Sequence, residues 1–411
     1  MLHDPARHEA LIPRAWDEAQ ARAAIARIVA DAEARFDPQR YWPLHPLDRE
    51  GDSDDAGPGI VETPMYHGAG GVIWALHYLQ SRGAAHLSRD YLAGCDELLA
   101  RNRGWLLDQG VAHEGAAWLL GDTPIRMMAF GRRPDAQCAQ ALQALIAGNI
   151  DHPARELMWG APGTLLAALF LHEHTGDPAW AELFRATAGM LWRRLEWSEQ
   201  HGCAYWTQEL YGSRSTYLDA VHGFVATAVP LIRGRHLLGA ERWEEWRRCI
   251  ANTVRRTASV EGSQASWRPQ LFGTQREADK KPDKKLLQFC HGAPGFVICL
   301  AGFPGDELDD LLHAAGEATW AAGPLAKGSN LCHGTGGNGY AFLVLYQRSG
   351  DVRWLERARA FAMHGMQQVE RDAAHYGQAR YSLWTGDLGF AVYLWDCIRA
   401  QAAFPMLDVF Y

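Results

Sequence analysis

The sequence predicts an all-α protein built from seven helical hairpins in two concentric layers. Three observations carry that expectation. A short glycine phrase followed by an apolar run recurs seven times along the 411 residues. Each run is hydrophobic nearly all round, the mark of a helix buried on every side. Between the runs lie amphipathic segments with a charged face, several opening on Asp or Ser as helix N-caps do. Self-similarity of this kind points to a repeat architecture. An open helical solenoid is the alternative. Uniform burial of every inner run, first and last included, favours a closed ring.

In chain order, an outer helix is expected over about 17–36, opening on Asp17. A loop over 37–64, rich in Pro, Asp and Gly, leads to the first phrase, YHGAGGVIWAL at Tyr66. The later phrases begin at Leu119, Met158, Val221, Cys290, Cys332 and Trp384. The outer segments between them are 88–105, 135–150, 177–197, 241–260, 306–322 and 351–370. A second long loop is expected over 261–288, carrying the basic run READKKPDKK, which reads as a solvated loop or as a lid attracting an anion. The first glycines are Gly68, Gly121, Gly160, Gly223, Gly292, Gly334 and Gly386, on average 53 residues apart, enough for one hairpin with its loops. A partner glycine follows three residues on in five copies, with Pro124 and Ala226 in the other two. Such pairs permit close backbone approach where helix ends converge, and should leave N–H groups facing the central mouth.

Composition narrows the function. A net charge of −8 argues against a nucleic-acid partner. No uninterrupted apolar stretch is long enough for a membrane span, and the charged N-terminus lacks the apolar core of a secretory signal. The eight cysteines are scattered rather than crowded as in a secreted scaffold. The expectation is a cytoplasmic chain forming one domain over 1–411, monomeric because a ring buries its own helices.

Aligning the phrases on their first glycine exposes the chemistry. The preceding position holds histidine in four copies: His67, His222, His291 and His333. One place earlier, cysteine occurs only in the fifth and sixth copies, at Cys290 and Cys332. Repeat equivalence puts both thiols and His333 at one end of adjacent inner helices, a donor set that suits tetrahedral zinc with a fourth position open. Such a metal holds a bound thiol as thiolate at neutral pH. The other six cysteines read as core residues. His222 and His291 line the same rim as candidate acid/base groups, or as satisfied helix-end histidines. Glu156 could orient an imidazole, act as base, or simply favour a helix N-terminus. Lys327 reads as a surface lysine or an anion contact.

CHGAPG at 290–295 and LCHGTGGNGYAFL at 331–343 resemble the lanthionine synthetase C-like family, and LLGDTPI, ELMWGAPG, AVHGF and YSLWTGDLG resemble its other repeats. The resemblance implies an α/α toroid of seven inner and seven outer helices with one Zn2+ per chain in the cavity. It implies Cys290, Cys332 and His333 as ligands, His222 as acid/base and Glu156 as its support. Lys327, within KGSNLCHG, matches a lysine of the eukaryotic-type branch, which uses glutathione as the thiol. His291 follows the first zinc ligand, as in many members. The peptide cyclases carry an arginine shortly before that cysteine; here Leu286 and Leu287 stand there, with Lys284 and Lys285 upstream.

The expected function is Michael-type addition of a thiol, glutathione or a peptide cysteine, to dehydroalanine or dehydrobutyrine in a peptide, with a lanthipeptide cyclase as the nearest variant. A non-catalytic glutathione- or protein-binding module is the alternative. A hydrolase on the same scaffold would need paired acids, such as Glu156 with Asp219 or Asp387.

Overall fold

The computed structural model describes residues 2–48, 61–272 and 285–411. The outer helices are α1 (Glu18–Arg35), α3 (Cys95–Asp108), α5 (Ala136–Gly148), α7 (Pro178–Arg193), α9 (Ala240–Thr257), α11 (Asp309–Ala322) and α13 (Val352–Tyr376). They alternate with the inner helices α2 (Ala69–Ser81), α4 (Thr123–Arg132), α6 (Ala161–Thr175), α8 (Phe224–Arg233), α10 (Ala293–Leu300), α12 (Thr335–Ser349) and α14 (Asp387–Arg399). Every residue of α10 is buried, and so are the first eleven of α6, α12 and α14. The outer helices bury one face only; α9 buries Trp246, Ile250 and Val254 and presents its arginines and glutamates outward.

Local signals make the hairpins. Gly176 ends α6 and Gly350 ends α12 in the left-handed region, at φ 70° and 71°. There glycine closes the last turn without strain. Asp177 and Asp351 follow at once and cap α7 and α13 by accepting from Ala179 N and Arg353 N. The chain therefore reverses within two residues, from a buried helix to an amphipathic one.

Closure is written in the backbone. The residue two before each first glycine joins a collar of hydrogen bonds around one end of the barrel. Tyr66 N donates to Leu119 O, Leu119 N to Met158 O, and Leu157 N to Val221 O. Cys290 N donates to Cys332 O, Cys332 N to Trp384 O, and Trp384 N back to Tyr66 O. The seventh repeat thus bonds to the first, and α14 packs on α2. The architecture is the α/α toroid of seven inner and seven outer helices, not an open solenoid.

The partner glycines serve this collar. A methyl group on Gly71, Gly163, Gly295, Gly337 or Gly389 would overlap the carbonyl six residues back in its own loop. Most would also meet a side chain of the preceding repeat: Leu383, Trp118, Ala220 and Leu331 for Gly71, Gly163, Gly295 and Gly389. The helix N-termini, however, are not left facing the mouth. The loops fold back so that Phe224 N, Val225 N and Ala226 N bond Tyr217 O, Leu218 O and Asp219 O, and Thr335 N, Gly336 N and Gly337 N bond Gly328 O, Ser329 O and Asn330 O. Buried N–H groups must find acceptors, and the loop carbonyls are the nearest.

The opposite end of the barrel is plugged by the last residues of the chain. Phe404, Met406, Leu407 and Phe410 are buried among the inner helices. Trp118 Nε1 donates to Met406 O and Trp74 Nε1 to Phe410 O. Phe404 stacks on Phe289 with ring centroids 4.5 Å apart. Three two-stranded hairpins, which the sequence reading had as loop or helix end, complete the fold. They are β1 (Glu196–Ser198) with β2 (Cys203–Tyr205), β3 (Gln208–Leu210) with β4 (Ser213–Ser215), and β5 (Ala258–Glu261) with β6 (Gln264–Trp267). The stretch expected as loop over 261–288 therefore opens on a strand, and its basic run lies, apart from Lys285, outside the described residues. So does much of the 37–64 loop, over 49–60.

Candidate active site

The fifth and sixth turns of the collar bring two sulfurs together. Cys290 and Cys332 are buried, and their Sγ atoms and a ring nitrogen of the half-buried His333 all lie within 4.8 Å of one another. Among the described residues this is the only such group of potential metal ligands. Its geometry follows from the collar bond between Cys290 N and Cys332 O, 3.1 Å long, which fixes the two loops side by side. Gly292 adopts φ 105°, unlike the other first glycines with a helix following, and lets the fifth loop turn just after Cys290 and His291.

The donor set fits zinc. Sulfurs on a tetrahedral Zn2+ sit about 2.3 Å from the metal, hence about 3.8 Å apart, so a cluster of this size needs little movement. Two thiols so close cannot both ionise unaided. The hydrogen bond from Cys290 holds Cys332 below the usual thiol range, while that contact and burial push Cys290 well above it. A divalent cation held between them would relieve the conflict.

Each sulfur also has a neutral donor that the sequence reading did not anticipate. Tyr66 Oη donates to Cys332 Sγ at 2.9 Å, and Gln288 Nε2 to Cys290 Sγ at 2.9 Å. Burial and the neighbouring sulfurs keep the Tyr66 phenol protonated. Tyr66 belongs to the first repeat, yet the closed collar makes it a neighbour of the sixth. Lys327 is exposed, and its charge, with that of Arg380, favours the thiolate of Cys332. Arg380 is itself paired with Asp48.

The other half of the mouth carries imidazoles on carboxylates. His222 Nδ1 lies 2.8 Å from Glu156 Oε2, and His291 Nδ1 lies 2.6 Å from Asp219 Oδ2. Both acids are fully buried and also accept backbone N–H groups: Glu156 from Met158 and Trp159, Asp219 from Val221 and His222. One rule generates both pairs. The residue four before the first glycine holds the histidine one before the first glycine of the next repeat. That position is polar in five repeats, as Glu156, Asp219, Gln288, Asn330 and Ser382, a periodic signal from which Asp219 and Gln288 could have been read. Burial opposes charge on His222, but the Glu156 bond outweighs it and the pKa is raised. For His291, burial is likewise overcome by Asp219 and by the Cys290 sulfur, which lift it to about 9. With Nδ1 engaged, Nε2 is the atom left for proton transfer in each ring.

The remaining expectations sort plainly. His67 pairs with Glu62 at 3.2 Å, in its own loop. The acids a hydrolase would need are engaged: Glu156 and Asp219 as described, and Asp387 with Ser329 Oγ and Arg380 N. The cysteines outside the cluster are buried or half-buried free thiols. Among the described residues, no helix is long and apolar enough to cross a membrane.

The chain resembles known proteins in sequence and in fold. The profile described as "Lanthionine synthetase C-like protein" matches residues 59–409. Over 130 residues the chain is 37% identical to "Glutathione S-transferase LANCL1" of Danio rerio, covering 30% of this chain and 32% of that protein. Over 216 residues it is 30% identical to "LanC-like protein GCL1" of Arabidopsis thaliana, covering 51% of this chain and 46% of that protein. The chain thus spans a third to a half of these relatives' lengths. Among solved structures, "Nisin cyclase" superposes with a TM-score of 0.56 at 14% identity, over 86% of this chain and 94% of that one, a likeness of fold.

Proposed function

Because the chain belongs to the lanthionine synthetase C-like family, we propose that it is a zinc-dependent enzyme adding a thiol, glutathione or a peptide cysteine, to dehydroalanine or dehydrobutyrine in a peptide. The observation that carries this is the meeting of Cys290, Cys332 and His333 beside the His222–Glu156 pair. When bound at those three residues, Zn2+ would supply an open position where a thiol ionises near neutral pH.

The chain's own groups do the rest. The thiol sulfur forms a bond to the β-carbon as the carbon–carbon π pair moves toward the α-carbon. His222, protonated because Glu156 raises its pKa, delivers a proton from Nε2 to the α-carbon. His291, held protonated by Asp219, is the second imidazole and places positive charge beside the sulfurs, while the proton that the thiol gives up passes to solvent. Lys327 supplies positive charge for the carboxylates of glutathione or for the enolate oxygen. Tyr66 and Gln288 fix and partly neutralise the sulfur ligands, as hydrogen-bond partners of metal ligands generally do.

The test is intact mass of a dehydroalanine peptide after incubation with glutathione and the zinc-loaded protein. A gain of one glutathione per site is expected, and none with Cys290→Ala. If the protein holds zinc and glutathione but never changes the peptide's mass, the non-catalytic binding module is the better description.

A further inference from the structure

We propose that the cleft beside the third repeat is the binding subsite for the polypeptide that carries the electrophile, an assignment that rests on the thiol-addition reading. The cleft has a volume of about 550 Å³ and is walled by Val111, Glu114, His152, Trp159, Tyr211 and Arg214. It is continuous with the acid/base pair. Tyr211 Oη accepts from Trp159 Nε1 at 3.2 Å, Trp159 N donates to Glu156 Oε1 at 2.6 Å, and Glu156 holds His222. The Tyr211 and His222 rings lie 6.3 Å apart.

Order around the collar supports the assignment. The sulfurs belong to repeats five and six, the proton-handling pair to three and four, and the cleft to the loops before repeats two and three and the hairpin between three and four. A peptide whose α-carbon meets His222 and whose β-carbon faces the sulfurs therefore continues into the cleft.

The wall is held in costly conformations. Tyr211 and Gly212 form the two-residue turn of the β3–β4 hairpin with φ 51° and 70°. Such turns favour Asn-Gly, and a tyrosine there is strained. Arg155, which pins the hairpin through Thr207 O, also sits at positive φ, 45°. Backbone strain of this kind gathers where ligands are held. Tyr211 is nonetheless 74% exposed, an aromatic face presented to solvent above the cleft.

Placement separates the two substrates. In the cleft Glu114 is engaged by His113 and His152, and Glu209 stands opposite Arg214 across the hairpin, leaving Trp159 and Val111 as apolar lining for a peptide main chain. Lys327 belongs instead to the loop that carries Cys332, at the sulfur side.

The experiment uses a fluorescein-labelled decapeptide with a central dehydroalanine, the zinc-loaded full chain, and the hairpin variants Tyr211→Ala and Arg214→Ala, whose unchanged zinc content reports folding. Anisotropy should show peptide affinity reduced at least tenfold in Tyr211→Ala and less in Arg214→Ala. KM for the peptide should rise in step, and by more than KM for glutathione or for the small acceptor N-acetyl-dehydroalanine methylamide. Undiminished peptide affinity in both variants, no binding by the parent protein, or a shift in glutathione KM instead would overturn the assignment. A parent protein that binds the peptide through this cleft yet adds thiol to no acceptor would defeat the thiol-addition reading and leave the cleft standing.

Discussion

The two ends of the same seven inner helices are finished in opposite ways. At the N-terminal ends, glycine loops and a backbone collar gather sulfurs, imidazoles and carboxylates at a mouth. At the C-terminal ends, residues 403–411 fill the barrel with Phe404, Met406, Leu407 and Phe410. Polar groups at the mouth are satisfied by one another, while the plug relies on apolar area. The difference teaches that stability and chemistry occupy separate ends of one scaffold. They touch at Phe404, which stacks on Phe289, the residue before Cys290.

That separation can be broken by experiment. The largest effect belongs to the sulfurs: Cys332→Ala should abolish stoichiometric zinc in metal analysis and lower turnover by at least about a thousandfold, roughly 4 kcal/mol of barrier. Zinc retained with full turnover would remove the mouth from the argument. Next, His222→Asn should lower kcat by about a hundredfold to ten-thousandfold with zinc content unchanged, and Glu156→Gln should follow in the same direction by less. At the plug, Phe404→Ala should cost about 3–5 kcal/mol in denaturant unfolding while zinc still binds. Loss of zinc at unchanged stability would show that Phe404 serves the mouth rather than the fold.

The last effect, spread over several pH units, is a pH dependence at the plugged end. Asp396, buried and bonded to Tyr340 Oη and Ala403 N, is pushed up to about 7. Its folded pKa exceeds the unfolded value of 3.8, so the native state binds the extra proton. Stability should therefore fall, relative to Asp396→Asn, as pH rises from about 4 to about 7, then level off, by at most about 1.4 kcal/mol per pH unit. A difference that does not vary with pH in thermal unfolding would mean the carboxyl stays charged.

Much of this mouth was legible because repetition amplifies it. Seven glycine phrases placed Cys290, Cys332, His333, His222 and Glu156 in register without any coordinates. Tyr66 was not legible: it lies 266 residues from Cys332, and only closure of the ring makes them partners. Free helix N–H groups were expected at the mouth because the reading did not foresee loop carbonyls folding back onto them. The hairpins escaped notice since strands of three or four residues are too short to show alternation. The plug escaped because 403–411 occurs once, and a segment without a copy has no register to be read against.

The closed ring also governs how this architecture can change over time. A linear stack of repeats sheds or gains a unit at its ends and remains a stack. Here Trp384 bonds back to Tyr66, so excising a stave would leave the ends of the ring unmatched. Evolution is left free to embroider the connections between hairpins but not to alter their number.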